Sequence, residues 1–258
     1  MVMSQRWDSK FELKPGKWVY VPNADTIERG REIKRHIEDR WKSPSYFFHL
    51  RRGGHVSAMK SHLGQNSFVH LDIRDFFGSV SRTRVTRCLK GMFSYDEARE
   101  IANFSTIVLS KDGKREFSLP FGFVQSTLLA SICLHKSALG ACLKRLAGVE
   151  GVRVSVYVDD IVVSSTHPDV SEAAMAELKS AAARSGFILN EEKEQGPAAS
   201  VSAFNIALSK YDLAVTTARW RQFLDALRMA TTESQSEGIL GYVGSVNPAQ
   251  AKSLLVSI

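Results

Sequence analysis

VRVSVYVDDIVVSS, residues 152–165, decides how this 258-residue chain reads. Valines at 152, 154, 156 and 158 alternate with other side chains, and a second β-branched run starts at Ile161. Alternation of this kind marks a strand, so the segment predicts two strands around a turn. Asp159 and Asp160 fall at that turn, with no glycine or proline beside them. Adjacent like charges repel, and a solvated acidic turn is their plainest use. A second acidic strand end suggests another. In SFVHLDIRDFF, residues 67–77, Asp72 closes an apolar run. Carboxylates at neighbouring strand ends of one sheet can converge on two divalent cations roughly 3.5–4 Å apart, the arrangement that drives phosphoryl transfer. Oxygen ligands suit Mg²⁺, with Mn²⁺ able to substitute, rather than zinc. Nucleases and cyclases also use acidic strand ends, so the carboxylates leave the reaction open. Asp75 would face the other side of an extended strand from Asp72 and is read as a turn residue.

Further elements lie on both sides of these strands. FELKPGKWVYVP (11–22) predicts a hairpin turning at Pro15-Gly16, flanked by Lys14 and Lys17. ADTIERGREIKRHIEDRW (24–41) has helical spacing with Asp25 as its cap. SYFFHLRRGGHVSAMKSHLG (45–64) is dense in Arg, His, Lys and Gly, and RTRVTRCLKGMF (82–93) begins a helix. From Phe117 to Leu143 a loop around Pro120 and Gly122 becomes a mostly apolar helix. Ser171–Ser185 reads as an amphipathic helix, GFILN (186–190) and SVSAFNIALSK (200–210) as short strands, and the chain from Thr216 as helical with a polar break at 231–238. This alternation predicts an α+β sheet domain with inserted and appended helical parts.

The formal charge of +7 favours a polyanionic partner, nucleic acid first. Cys88, Cys133 and Cys142 have neither C-x-x-C spacing nor paired histidines, which argues against a disulfide framework or zinc site and makes a reducing cytoplasm the expected location. Met1–Lys10 is polar and unlike a secretory leader. The longest apolar stretch, Thr127–Leu143, is broken by His135 and Lys136, so a soluble chain with no membrane partner is expected.

Tyr157-Val158-Asp159-Asp160 in its apolar hairpin resembles the palm catalytic loop of reverse transcriptases, and DIRDFF at 72–77 resembles the first palm motif of the retron and group II intron type. GGHVSAMKSH (53–62) is similar to the Gly-rich segment ahead of that motif. LPFGFVQSTLLASICLHKSALG, from Leu119, is similar to the loop-helix supporting the templating pair. FILNEEKEQ, with Asn190 and Lys193, resembles the N-x-x-K element, SVSAFNIAL the primer-grip hairpin, and ILGYVGSVNPAQAKSLL (239–255) the end of a bacterial thumb.

The resemblance implies a right-hand polymerase fold. Fingers would span 1–66, a ferredoxin-like βαββαβ palm 67–215 with an insertion at about 82–118, and a short helical thumb 216–258. It implies that Asp72, Asp159 and Asp160 hold two Mg²⁺ ions. Ile73, Asp75, Phe76, Phe77, Phe121, Gly122, Gln125, Lys193, Arg52 and Lys60 would surround the nucleotide, with Arg51, Lys14 and Lys17 further candidates for phosphate contacts. Tyr157 and Val158 would lie at the primer end. Phe77 falls where the family keeps a bulky ring beneath the sugar, which would favour dNTPs; core packing is the alternative use for one of Phe76 and Phe77. Lys193 would neutralise or protonate departing pyrophosphate.

The family loop L-P-Q-G reads L-P-F-G here, with Phe121 in place of the amide, as in abortive-infection and other defence-associated members. The function implied is RNA-directed DNA polymerase activity on an RNA or DNA template in bacterial antiviral defence. A dedicated noncoding RNA, a protein partner or a second copy of the chain would complete it. Phe121 and the short thumb motivate two alternatives: untemplated or protein-primed DNA synthesis by the same palm, and a catalytically silent nucleic-acid-binding scaffold.

Overall fold

The computed structural model describes residues 5–111 and 114–256, apart from the side chains of 110–115. Met1–Ser4 of the polar N-terminal stretch, 112–113 of the expected insertion and 257–258 of the expected thumb lie outside the described residues.

Local signals set most of the elements. Gly16, at φ +78°, turns β1 (Trp7–Lys14) back onto β2 (Lys17–Pro22), giving the expected hairpin. The first helix, α1 (Ala24–Glu38), starts where Asn23 Oδ1 accepts the Thr26 N–H at 3.0 Å. The cap is therefore Asn23, and Asp25 contributes first-turn charge instead. There follow α2 (Gly54–Lys60), β3 (Ser67–Asp72), α3 (Arg82–Leu89), α4 (Tyr95–Ser105, begun by a Ser94–Glu97 capping box), β4 (Ile107–Lys111) and β5 (Lys114–Ser118).

The apolar stretch expected as one helix is two, α5 (Ser126–His135) and α6 (Ala138–Ala147). Ser137 Oγ accepts the Gly140 N–H at 3.1 Å and starts a new helix. Next come β6 (Val152–Tyr157), β7 (Asp160–Ser165), α7 (Pro168–Arg184), β8 (Gln195–Ala198), β9 (Ser200–Ala203), β10 (Ile206–Ser209) and β11 (Leu213–Val215). The chain closes with α8 (Thr217–Arg228), α9 (Glu233–Val246) and α10 (Pro248–Val256), the polar break shrinking to 229–232. GFILN is not a strand: of these residues only Leu189 forms a bridge, to Ile73.

The chain divides into two units that interleave along the sequence. One comprises Met1–Pro44, Arg74–Ala141 and Ala181–Ile188; the other comprises Ser45–Ile73, Cys142–Ser180 and Leu189–Ile258. These differ from the three consecutive parts read from the sequence. Residues 45–66 and α8–α10 fall in the second unit with the sheet. Strand pairing between distant segments, invisible to local pattern, draws the division.

The second unit is built on an antiparallel sheet of order β6-β7-β3-β8. With helical connections after β3 and β7, this is the expected ferredoxin-like βαββαβ arrangement. All six residues of β3 are buried, as befits a strand covered on both faces. β8 reads QGPA and carries no strand signal of its own. Gly196, at φ +91°, sits where any Cβ would collide with the Phe68 carbonyl, and Pro197 is tolerated because β8 is an edge. Phe204 and Asn205 (φ +57° and +60°) form the tip of the β9–β10 hairpin, the left-handed pair that a two-residue turn of the I′ kind demands. Phe223, Leu227, Val243, Val246 and Leu254 of α8–α10 pack with Leu208 and Val215, and with Phe68, Val162 and Met59. Each such side chain contributes roughly 1.5–3 kcal/mol by burial.

One polar group is sealed in this unit. His62 is fully buried, its Nδ1 2.7 Å from Ser164 Oγ and its Nε2 2.8 Å from Ser155 Oγ, so it ties the segment after α2 to β7 and β6. Burial, with a smaller push from Arg153, lowers its pKa to about 3. Unfolded, it titrates near 6.5, so below that pH the unfolded chain binds a proton that the folded chain refuses. Stability supplied by this site is complete above about pH 6.5 and is lost as pH falls toward 3, by roughly 1.4 kcal/mol per unit. Urea midpoints between pH 7 and 4 should fall accordingly and fall less steeply in His62→Gln; equal slopes would contradict this role.

In the first unit β2 runs alongside the loop after β5. Tyr20 N–H donates to the Phe121 carbonyl at 2.9 Å, and Gly122, at φ +106°, lies where a Cβ would strike the Tyr20 carbonyl. Gly122→Ala is expected to destabilise by about 2–4 kcal/mol, read as a lowered urea midpoint with unchanged slope. α5 is buried from Leu128 through Leu134. Among the described residues no single helix is long and apolar enough to cross a membrane.

Candidate active site

Register brings the acidic residues together. β3 and β7 pair so that Asp72 lies directly opposite Asp160, and β6 and β7 pair so that Tyr157 lies opposite Asp160. Cross-strand partners point to the same face, so two carboxylates stand side by side on the sheet. Val158 and Asp159 are the two turn residues. Val158 has φ +60°, a conformation that costs a β-branched side chain of order 1–3 kcal/mol and that is met at functional turns. The turn is held from two sides. Ile73 N–H donates to the Asp159 carbonyl at 2.9 Å, and Val158 N–H donates to His49 Nδ1 at 2.9 Å. Burial pushes the His49 imidazole down to about 4, against a smaller opposing pull from the Val156 carbonyl. The ring is neutral at pH 7, and Nδ1 carries the lone pair that accepts this bond.

Each paired carboxylate has a basic partner. Asp72 is 3% exposed; Oδ2 is 2.7 Å from Lys193 Nζ, Oδ1 accepts from Asn190 Nδ2 at 3.3 Å, and its backbone carbonyl accepts the Asn190 N–H. Asp160 Oδ1 is 2.7 Å from Nε2 of the buried His70. Although burial opposes it, the hydrogen bond to Asp72, with the fields of Asp160 and Asp159, raises the Lys193 pKa. As the side chains stand, no three His, Cys, Asp or Glu groups among the described residues come close enough together to hold a metal ion. The lysine and histidine are instead the hydrogen-bonding partners of Asp72 and Asp160.

The primer-end candidate Tyr157 lies in an aromatic cluster: its ring centroid is 5.2 Å from Phe204 at the β9–β10 tip, 5.7 Å from His55 and 5.9 Å from His49. His55 Nε2 is 3.2 Å from the Tyr242 hydroxyl of α9. Arg52 and Lys60 are exposed at either end of α2, while Arg51 donates to the Ser45 carbonyl and lies over Phe48.

The first unit has its own cavity of about 430 Å³, whose lining includes Lys10, Lys17, Asp75, Phe77, Glu116 and Phe121. The Phe77 ring meets Phe121 edge-on at 4.6 Å, and Lys17 Nζ lies 4.3 Å over the Phe121 ring. Phe121 thus gives Phe77 an aromatic wall where the family loop has an amide. Asp75 is a turn residue, at φ +48°, its carboxylate filling the space beside Gly78.

Three candidates belong to the core instead. Phe76 is buried against Phe187, and the Ile73 side chain is 1% exposed, leaving only its backbone at the turn. Gln125 is fully buried, its amide nitrogen 3.3 Å from Ser105 Oγ and its oxygen against Gly30 of α1, so it cannot reach a nucleotide as it stands. Gly122 serves the close approach of β2. The sequence reading missed His70 and His49. His70 had a signal, two residues before Asp72 and hence on the same face of the strand. His49 had none, since its role depends on a partner more than a hundred residues away.

A βαββαβ sheet with acidic residues at the ends of its central strands is the palm of a right-hand polymerase. The profile of the reverse transcriptase (RNA-dependent DNA polymerase) family matches residues 26–204, well over half of the chain, and the chain belongs to that family. It is 27% identical over 216 residues to the retron Mx65 reverse transcriptase of Myxococcus xanthus, covering 75% of this chain and 49% of that protein. To the retron Ec86 reverse transcriptase of Escherichia coli it is 22% identical, covering 95% and 76%. The chain thus spans about half the length of the first relative and about three quarters of the second.

Among solved structures, a foamy viral protease-reverse transcriptase in complex with double-stranded DNA aligns over 90% of this chain and 34% of its own, at 17% identity and TM-score 0.51. Telomerase from Candida albicans, in complex with a fragment of telomeric RNA, aligns over 90% and 47%, at 9% identity and TM-score 0.54. At these identities the likeness concerns the fold. Reverse transcriptases use divalent metals, and the all-oxygen set of Asp72, Asp159 and Asp160 is chemically suited to them once Lys193 yields its place.

Proposed function

We propose that the chain is an RNA-directed DNA polymerase that adds dNTPs to a growing DNA strand. The observation that carries this is the Asp72–Asp160 pair facing across β3 and β7, with Asp159 on the strained turn beside it. When bound, two Mg²⁺ ions, or Mn²⁺, would activate the primer 3′-oxygen and stabilise the departing oxygen. Asp72, Asp159 and Asp160 would hold them. Lys193 would then be free to meet the negative charge of departing pyrophosphate, and His70 would fix the rotamer of Asp160. Tyr157, steadied by Phe204 and His55, would pack against the primer end. The Phe77–Phe121 wall would take the sugar face of the nucleotide, with Lys10 and Lys17 near its phosphates and Arg52 and Lys60 on the nucleic-acid backbone.

Copying of RNA, a dedicated noncoding RNA or protein partner, cytoplasmic action and a part in bacterial antiviral defence belong to the same proposal. The likeness to retron proteins and the basic charge support it. To test it, the protein is purified from its host, the RNA that accompanies it is sequenced, and labelled dNTPs are supplied with Mg²⁺. Label entering DNA complementary to that RNA is the expected result; absence of label on any template, with metal demonstrably bound, would refute the reading.

A second reading rests on Phe121. An apolar ring where the family has an amide favours loose or absent templating, with a protein hydroxyl as primer. DNA that stays attached to the protein through denaturation would support it, and a free 5′ end on all products would exclude it.

A further inference from the structure

Three residues of α3 and two neighbours on or just after α5 meet in the first unit at a second cavity, which shares no lining residue with the one holding Phe77 and Phe121. Arg84, Arg87 and Cys88 of α3, with Cys133 of α5 and Lys136 just beyond it, line a cavity of about 380 Å³ together with Arg184. Its lining includes four serines and no carboxylate, so four cations face one space without an acidic residue among them. Cys88 is partly exposed and Cys133 is buried, and both line this one cavity. Lys136 Nζ is anchored 2.8 Å from the Cys88 carbonyl, which holds its charge beside that residue.

We propose that Cys88 and Cys133 are a redox-active thiol pair that reacts with small anionic disulfides drawn into this basic cavity. Sites of this kind supply what a reactive thiol needs: access, positive neighbours and a second thiol to complete the exchange. Pairing with Cys133, helped by Arg84, Lys136 and Arg87 and opposed by burial, lowers the Cys88 pKa, while the same pairing and full burial raise that of Cys133. The roles therefore divide. Cys88 thiolate attacks one sulfur of the small disulfide; that S–S bond breaks, a mixed disulfide forms on Cys88, and one small thiolate leaves and takes a proton from water. Cys133 then attacks the Cys88 sulfur, its proton passing to the departing group; the bond between Cys88 and the small sulfur breaks and the second small thiol leaves. The protein pair loses two electrons, the small disulfide gains two, and the new bond joins α3 to α5.

The test uses the full chain with glutathione disulfide as the probe, followed by alkylation and peptide mapping. Cys88 linked to Cys133 is expected, with Cys142, buried beside Arg145 and Glu177, remaining a free thiol. In Cys133→Ser the reaction should stop at a glutathione adduct on Cys88. At low salt the anionic probe should outpace neutral hydroxyethyl disulfide by about tenfold, and the difference should shrink at high salt. Arg87→Gln, an exposed substitution, should reduce the same preference. Should that variant fail to fold, the salt dependence of the unmodified chain decides alone. Equal labelling of Cys142 and Cys88, no Cys88–Cys133 bond, or equal rates for the two probes at every salt concentration would overturn the proposal.

Discussion

Asp72→Asn is expected to lower dNTP incorporation by on the order of 10³-fold or more while the fold survives. Asparagine has the same shape and can still accept the Asn190 amide through its oxygen, and the backbone pairing of β3 with β7 and with Asn190 is untouched. What disappears is one negative charge in a site that is 3% exposed, where no solvent can replace it. Lys193 loses its partner at 2.7 Å, and the oxygen set loses its most buried member. Incorporation rates with saturating dNTP, set beside thermal midpoints, check this. A drop of less than tenfold, or a rate loss matched by unfolding, would remove Asp72 from the chemistry.

The second large effect concerns sugar choice. Phe77→Ala should raise the use of rNTPs relative to dNTPs by about 10–100-fold, because a hydroxyl excluded by shape is readmitted when the ring goes. Phe77 is placed as such a role requires. It is 6% exposed yet lines the cavity of its unit, and Phe121 braces it edge-on at 4.6 Å. Phe76, its neighbour in sequence, packs on Phe187 and should alter stability more than selectivity when truncated to alanine, by about 3–5 kcal/mol. Competition assays with matched rNTP and dNTP separate the two rings. Unchanged discrimination in Phe77→Ala would assign both to the core.

Much of this is legible in the sequence. Alternating valines and the two β-branched runs located β6 and β7, and the acidic ends of two apolar runs located the paired carboxylates. What local pattern could not carry is the consequence of long-range pairing. β8 was hidden because Gly196 and Pro197 look like a turn, and only the approach of β3 makes a strand of them. GFILN has strand composition but gains only one bridge, since the chain there leaves α7 for another turn. The division of the chain escaped for the same reason, as segments far apart in sequence share one sheet. At the site, the resemblance set Gln125 beside the nucleotide, whereas its side chain is buried against α1. His49 and His62 gave no sequence sign of their roles, because a histidine in a basic stretch reads as surface until its partners are known.

The most direct measurement is primer extension on a defined heteropolymeric RNA, with Mg²⁺ and all four dNTPs, comparing the unmodified chain with Asp159→Ala. The account predicts DNA whose sequence is the complement of that RNA from the first and none from the second, with both proteins folded. Product of unrelated sequence, or equal synthesis by Asp159→Ala, would contradict it.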